Sequence, residues 1–239
     1  MEKADPMNTR IIGLLGGMSW ESTATYYRLI NEGIRNALGN LHSARIVLYS
    51  VDFAPIERLQ HAGDWDGTAD ILGEAAQAIE KAGAQCLLIC TNTMHNVAPQ
   101  IETAIGIPLL HIADATGREL QRRRVSRVGL LGTRFTMEQD FYRGRLEQEF
   151  GLEVITPPLR DREILHRVIY EELCNGTLLD DSRTAFLHII DDLQHAGAEA
   201  VILGCTEIGL LVKPGDTRVM LLDTTELHAR AAVEFALGR

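Results

Sequence analysis

A threonine and a cysteine, Thr91 and Cys205, stand at matching positions of an internal repeat, and both side chains can exchange protons. Ala82-Gly83-Ala84-Gln85-Cys86-Leu87-Leu88-Ile89-Cys90-Thr91-Asn92-Thr93 aligns without a gap on Ala196-Gly197-Ala198-Glu199-Ala200-Val201-Ile202-Leu203-Gly204-Cys205-Thr206-Glu207, at a constant spacing of 114 residues. Two reactive groups at equivalent positions of homologous halves can face one another across a cleft. That geometry suits chemistry that reaches both faces of one carbon, as in racemisation or epimerisation. The pair is unequal, because a thiol titrates near about 8.5 before perturbation while a hydroxyl is a far weaker base. Cys205 is therefore the expected base. It precedes Thr206-Glu207-Ile208-Gly209, a turn that could open a helix and lend the sulfur thiolate character. Thr91 is expected to deliver a proton from the other face or to hydrogen-bond substrate. Cys90 points the opposite way on an extended strand and is expected in the core.

Around this pair stand groups able to hold an anion. Asn92, Thr93, Thr133 and Thr206 offer neutral donors, and Gly16-Gly17-Met18-Ser19 offers backbone amides beside a hydroxyl. Such groups also cap helices, and a helix N-terminus can do both. Glu207 could cap a helix, bind an amino group or move protons. His95 is expected to orient the Thr91 loop through a hydrogen bond. The glycine loop lacks both the G-x-G-x-x-G spacing and a Walker lysine, so no dinucleotide or nucleotide phosphate is expected. Cys86, Cys90 and His95 lack the turn context of a zinc site, so no metal is expected. The only lysines are Lys3, Lys81 and Lys213, and none is well placed for a pyridoxal phosphate imine. No cofactor is expected.

The elements that must position these groups follow from the hydrophobic pattern. Residues 11–15, 46–51, 86–89, 108–112, 128–131, 154–156, 201–203 and 219–222 read as strands. Helical patterns lie near 22–38, 68–82, 116–124, 137–150, 163–174, 182–195 and 225–237. This alternation predicts βα units around parallel sheets, with ligands bound beyond the carboxyl ends of the strands. Two further matches extend the repeat. Ile12-Gly13-Leu14-Leu15-Gly16 resembles Val128-Gly129-Leu130-Leu131-Gly132, and Ile112-Ala113-Asp114-Ala115-Thr116 resembles Leu221-Leu222-Asp223-Thr224-Thr225. The chain is thus read as two homologous three-layer α/β domains with parallel four-stranded sheets, related by a pseudo-two-fold axis, with the site in the cleft between them. The first takes residues 1–113 and, with the C-terminal helix, 217–239; the second takes 114–216.

Composition narrows the partners. A chain of 239 residues with 46% hydrophobic content can bury a large core. Its net charge is −10, and the only basic run is Arg122-Arg123-Arg124, read as a solvated helix end. Nucleic acid and anionic membranes would be repelled. No apolar run approaches the roughly 20 residues of a membrane span, and Met1 to Arg10 lacks the apolar core of a secretory signal. A cytoplasmic protein with four free thiols is expected.

Taken together, Gly16-Gly17-Met18-Ser19, Asn92-Thr93-Met94-His95 and Gly204-Cys205-Thr206-Glu207 resemble the aspartate/glutamate racemase family over nearly the whole chain. The fuller spellings, Gly16 to Ser22 and Cys90 to His95, look like its bacterial L-aspartate/glutamate-specific or broad-specificity amino-acid racemases. The resemblance implies a cofactor-independent two-base reaction on an amino acid, at an inter-domain cleft, usually in a homodimer. Cys205 would serve the L-face and Thr91 the D-face, where most of the family has a second cysteine. For a distal carboxylate the candidates are Gln60, Arg58 and Arg162; if none reaches the ligand, a neutral side chain fits better. Two rival expectations are one-base decarboxylation or isomerisation of small dicarboxylic acids, and an amino-acid-binding protein that has lost catalysis.

Overall fold

The computed structural model describes residues 9–239. The chain forms two compact units, one running to Ile112 and resuming at His228–Arg239, the other comprising Ala113–Leu227.

In the first unit, β1 (Ile12–Gly16) is flanked by β2 (Ile46–Ser50) and β3 (Cys86–Ile89), all parallel, in the order β2-β1-β3. Side chains alternate across the strands. Leu15, Leu87 and Ile89 join one buried cluster with Leu72, Ala76 and Ile79 of α3 (Trp65–Lys81) and Ile101 of α4 (Ala98–Ala104). Ile12, Leu14, Cys86, Leu88 and Cys90 join the other, with Tyr26, Ile30 and Ile34 of α1 (Trp20–Leu38) and Ala229, Ala232 and Val233 of α11 (Thr224–Ala236). The unit is therefore three-layered. Burial on both faces explains why β1 and β3 read as continuous apolar runs, whereas the edge strand β2 is partly exposed.

The sheet has three full strands rather than the expected four. Residues 108–112 contribute only a parallel bridge, Leu87 to Leu109. Pro108 has no N–H to donate, and α5 (Ile112–Arg123) has begun by Ile112. The sequence reading also passed over α2 (Phe53–Ala62). Its Pro55 sits in the first turn, where the missing N–H costs nothing, and Asp52 caps it.

The second unit has the order β5-β4-β6-β7, all parallel, from β4 (Arg127–Gly132), β5 (Glu153–Ile155), β6 (Ala200–Gly204) and β7 (Met220–Asp223). The helices α8 (Leu159–Glu171) and α9 (Asp180–His195) pack on β4, and α9 also on β6. The helix expected at 137–150 is broken into α6 (Arg134–Glu138) and α7 (Arg143–Phe150). Residues 217–227, read from the sequence with the first half, belong to the second, because β7 extends its sheet beside β6. The match of 112–116 with 221–225 is also imperfect: Asp114 lies inside a helix and pairs bidentately with Arg145, whereas Asp223 ends a strand and caps α11. Arg122 and Arg123 are not merely solvated, since both pair with the buried carboxylate of Glu119. Among the described residues no helix is long and apolar enough to cross a membrane.

Leu88 of β3 is fully buried against the α1/α11 layer. Its replacement by alanine should lower unfolding free energy by about 2–5 kcal/mol, as for other buried leucines; denaturant titration followed by circular dichroism checks this.

Candidate active site

In each unit the repeated loops leave the carboxyl ends of two paired strands. Leu15 of β1 lies opposite Ile89 of β3, so the loop after Gly16 and the loop carrying Thr91 emerge side by side. Gly132 of β4 lies opposite Gly204 of β6, which brings Thr133 and Cys205 out together. A side chain at Gly204 would lie 2.6 Å from the Leu131 carbonyl oxygen, so only glycine allows this approach.

The first glycine loop is tightly bonded. The Gly17 N–H donates to Thr23 Oγ1 at 2.8 Å, and that hydroxyl donates to the Ser19 carbonyl at 2.9 Å. Gly17 has φ +98°, and an added Cβ would collide with the backbone of Val51, so no other residue fits. Ser19 caps α1 by accepting the Ser22 N–H. Met18 is buried in the apolar cluster with Leu15 and Ile56, which leaves its backbone as the part able to serve a ligand.

The Thr91 loop is held at two successive carbonyls. Ser22 Oγ donates to the Cys90 carbonyl at 2.7 Å, and His95 Nδ1 lies 2.8 Å from the Thr91 carbonyl. The Ile112 N–H points at His95 Nε2 at 3.2 Å. A carbonyl can only accept and an amide N–H only donate, so His95 is the neutral tautomer with its proton on Nδ1. Burial, with His111 and His228 nearby, holds it well below the usual imidazole range. The expected orienting bond is therefore present. Thr91 is half-buried, whereas Asn92 and Thr93 behind it are buried. Gln60 of α2 is buried too, while Arg58 on the same helix is exposed.

Sequence reasoning missed the groups behind His95. The rings of His111 and His228 lie 4.5 and 5.7 Å from it. His228 Nδ1 accepts from the Tyr26 hydroxyl at 2.9 Å, and its Nε2 donates to the Leu110 carbonyl at 2.6 Å. Tyr26 and His228 are 202 residues apart. No local spacing announces such a pair.

In the second unit Thr133 caps α6 through the Thr136 N–H. Cys205, Thr206 and Glu207 form a local cluster in which Cys205 Sγ donates to Glu207 Oε2 at 3.0 Å and Thr206 Oγ1 to the same oxygen at 2.5 Å. Arg162 pairs with Glu138 at 3.1 Å, so its charge is already matched. Lys213, one of the two described lysines, donates its ammonium to the Gly209 carbonyl; Lys3 lies outside the described residues.

The sequence model for Asp/Glu/hydantoin racemases matches residues 15–232. The chain belongs to this racemase family. A solved candidate Asp/Glu racemase from Yersinia pestis is 54% identical, with a TM-score of 0.90 over 95% of this chain and 99% of that one. An aspartate racemase homologue from Pyrococcus horikoshii is 37% identical, with a TM-score of 0.83 over the same shares. The broad-specificity amino-acid racemase RacX of Bacillus subtilis is 20% identical over 95% of this chain and 99% of its own.

In this racemase the state of Cys205 reverses the expectation of a lowered thiol. Burial and the nearby Glu207 carboxylate push it well above the usual range. The helix that follows, α10 (Ile208–Leu211), has only four residues, too few to offset that burial. Burial likewise pushes Cys86 up to about 12 and raises Cys90, which lines the core cluster. The resting Cys205 is thus a thiol with a carboxylate acceptor in contact.

Glu207→Gln removes the negative charge that disfavours the thiolate but keeps the shape. The Cys205 thiol should titrate lower, and its alkylation by iodoacetamide at pH 8 should accelerate by about three- to tenfold, a tenfold change matching one pKa unit. Unchanged alkylation across a pH series would contradict the assigned coupling.

Proposed function

We propose that the chain is a cofactor-independent amino-acid racemase of the aspartate/glutamate type, with Cys205 and Thr91 acting on opposite faces of one α-carbon. The observation that carries the reading is the pairing of a cysteine with a buried carboxylate acceptor, Cys205 Sγ to Glu207 Oε2 at 3.0 Å, at the repeat position matching Thr91. Glu207 takes the thiol proton, and the thiolate so formed removes the α-proton of the L-amino acid. Thr91 Oγ1 then delivers its proton to the opposite face of the carbanion, and exchange with solvent water returns a proton to the Thr91 oxygen and removes the one on Glu207, restoring the resting groups. In the reverse direction the roles exchange. The backbone of Met18, the hydroxyls of Ser19, Thr93, Thr133 and Thr206, and the amide of Asn92 hold the α-carboxylate and stabilise the developing charge. Gln60 serves the substrate side chain.

Support for an amino acid as substrate comes from the family match and from the relatives' descriptions as Asp/Glu or broad-specificity amino-acid racemases. The reading includes a cytoplasmic homodimer, which the family likeness implies. It includes neither nucleic acid nor membrane as partner, in keeping with the net charge of −10.

The test is α-proton exchange in D₂O followed by NMR, on purified protein free of pyridoxal phosphate, over L- and D-forms of aspartate, glutamate, homoserine and methionine. The wild type should exchange and invert at least one pair. Cys205→Ala should lose both by about 10³-fold or more, the scale seen when a catalytic nucleophile or base is removed. Thr91→Ala should lose inversion by about 10²- to 10⁴-fold, the usual worth of a general acid, while L-face exchange persists. Full racemisation by Cys205→Ala would overturn the reading.

A further inference from the structure

A hydroxyl as weak as that of Thr91 depends on alignment. A displacement of about 1 Å can cost on the order of 10²-fold in rate. The direction of a side chain follows from its backbone, and the peptide after Thr91 is held at its carbonyl by His95 Nδ1 at 2.8 Å.

This bond differs from its look-alikes. His61 and His195 also reach back four residues to a carbonyl, at 3.0 and 2.8 Å, but both are exposed on ordinary helices. The His95 ring is buried and engaged at both nitrogens, the second by the Ile112 N–H. It packs edge-on against His111 and His228, and His228 is pinned by Tyr26 and by the Leu110 carbonyl. The ring cannot flip without setting carbon where both bonded nitrogens lie, and it cannot change tautomer without leaving the Ile112 N–H facing a second N–H. Nor does the fold of the loop itself require it. The repeat places Gly209 at the position equivalent to His95, and the Cys205 loop is held by the Glu207 carboxylate instead.

We propose that His95 is a positioning residue for Thr91: through the Thr91 carbonyl it governs delivery of the proton to the D-face, and it has no part in proton removal by Cys205. This rests on the two-base reading above. The buried ring cluster of Tyr26, His111 and His228 is the support that keeps His95 in register.

The two bonds of His95 can be separated by substitution. Asparagine carries a donor where Nδ1 lies, keeping the bond to Thr91 and losing the one to Ile112. Glutamine carries an acceptor near the place of Nε2, keeping the bond to Ile112 and losing the one to Thr91. Exchange and inversion of the best substrate are measured together in D₂O for wild type, Thr91→Ala, His95→Asn and His95→Gln. His95→Gln should lose inversion by about tenfold or more in kcat, with KM and L-face exchange within about threefold, while His95→Asn keeps both within about threefold. Equal losses of exchange and inversion in His95→Gln, or equal damage by both substitutions, would overturn the positioning role. If His95→Gln does not fold, His95→Asn decides: an unchanged ratio of inversion to exchange supports the role and a fallen ratio overturns it. Inversion retained by Thr91→Ala would overturn the two-base reading and this role with it. Inversion lost in Thr91→Ala but kept in His95→Gln would overturn the positioning role alone.

Discussion

The in-register parallel pairing of β1 with β3, and of β4 with β6, is the constraint on which the site depends. Parallel neighbours end on the same side, so each pairing turns two distant stretches of sequence into adjacent loops. In one unit this sets the Gly16–Ser19 loop beside Thr91; in the other it sets Thr133 beside Cys205. Glycine is needed at the strand ends because the backbones approach too closely for a side chain, as at Gly204 against Leu131. The apolar interiors of these strands, buried on both faces, anchor the pairing.

On this shared frame the halves have diverged in how they hold their reactive loops. The first fixes Thr91 from outside, through Ser22 on α1 and the buried ring of His95. The second fixes Cys205 from within, through a carboxylate two residues along the chain. The difference suits the chemistry of each group. A hydroxyl gains from rigid placement, whereas a buried thiol needs an acceptor before it can act as a base. In the proposed reaction Glu207 meets that need, while burial and, after it, the Glu207 charge disfavour the thiolate, so the resting sulfur keeps its proton.

Much of this was legible in the sequence, and the failures have physical causes. The gapless match of 82–93 with 196–207 identified Thr91 and Cys205 as equivalent, because a repeated strand and turn must repeat its backbone. The strands β1, β3, β4 and β6 were visible as apolar runs at 11–15, 86–89, 128–131 and 201–203. Residues 108–112 carry the same signal but yield only a bridge, since strand content there is decided by a proline and by a helix that begins at Ile112. The place of residues 217–227 was misjudged because sheet membership is a non-local property, settled by the pairing of β7 with β6. The thiol state of Cys205 was misjudged because helix position was weighed and burial beside a carboxylate was not. The cluster of Tyr26, His111 and His228 left no trace in spacing, as its members meet only through tertiary packing.

The central claim is that Thr91 and Cys205 are unequal partners at opposite faces of one carbon. The most direct test is to make them equal: Thr91→Cys, with α-proton exchange in D₂O measured separately from the L- and D-enantiomers of one substrate. The account predicts that exchange from the D-enantiomer rises toward the L-rate while the L-rate changes little, because a thiol then stands where the weak hydroxyl did. D-exchange that stays at the wild-type level in a folded protein, or a gain shared equally by both enantiomers, would contradict it.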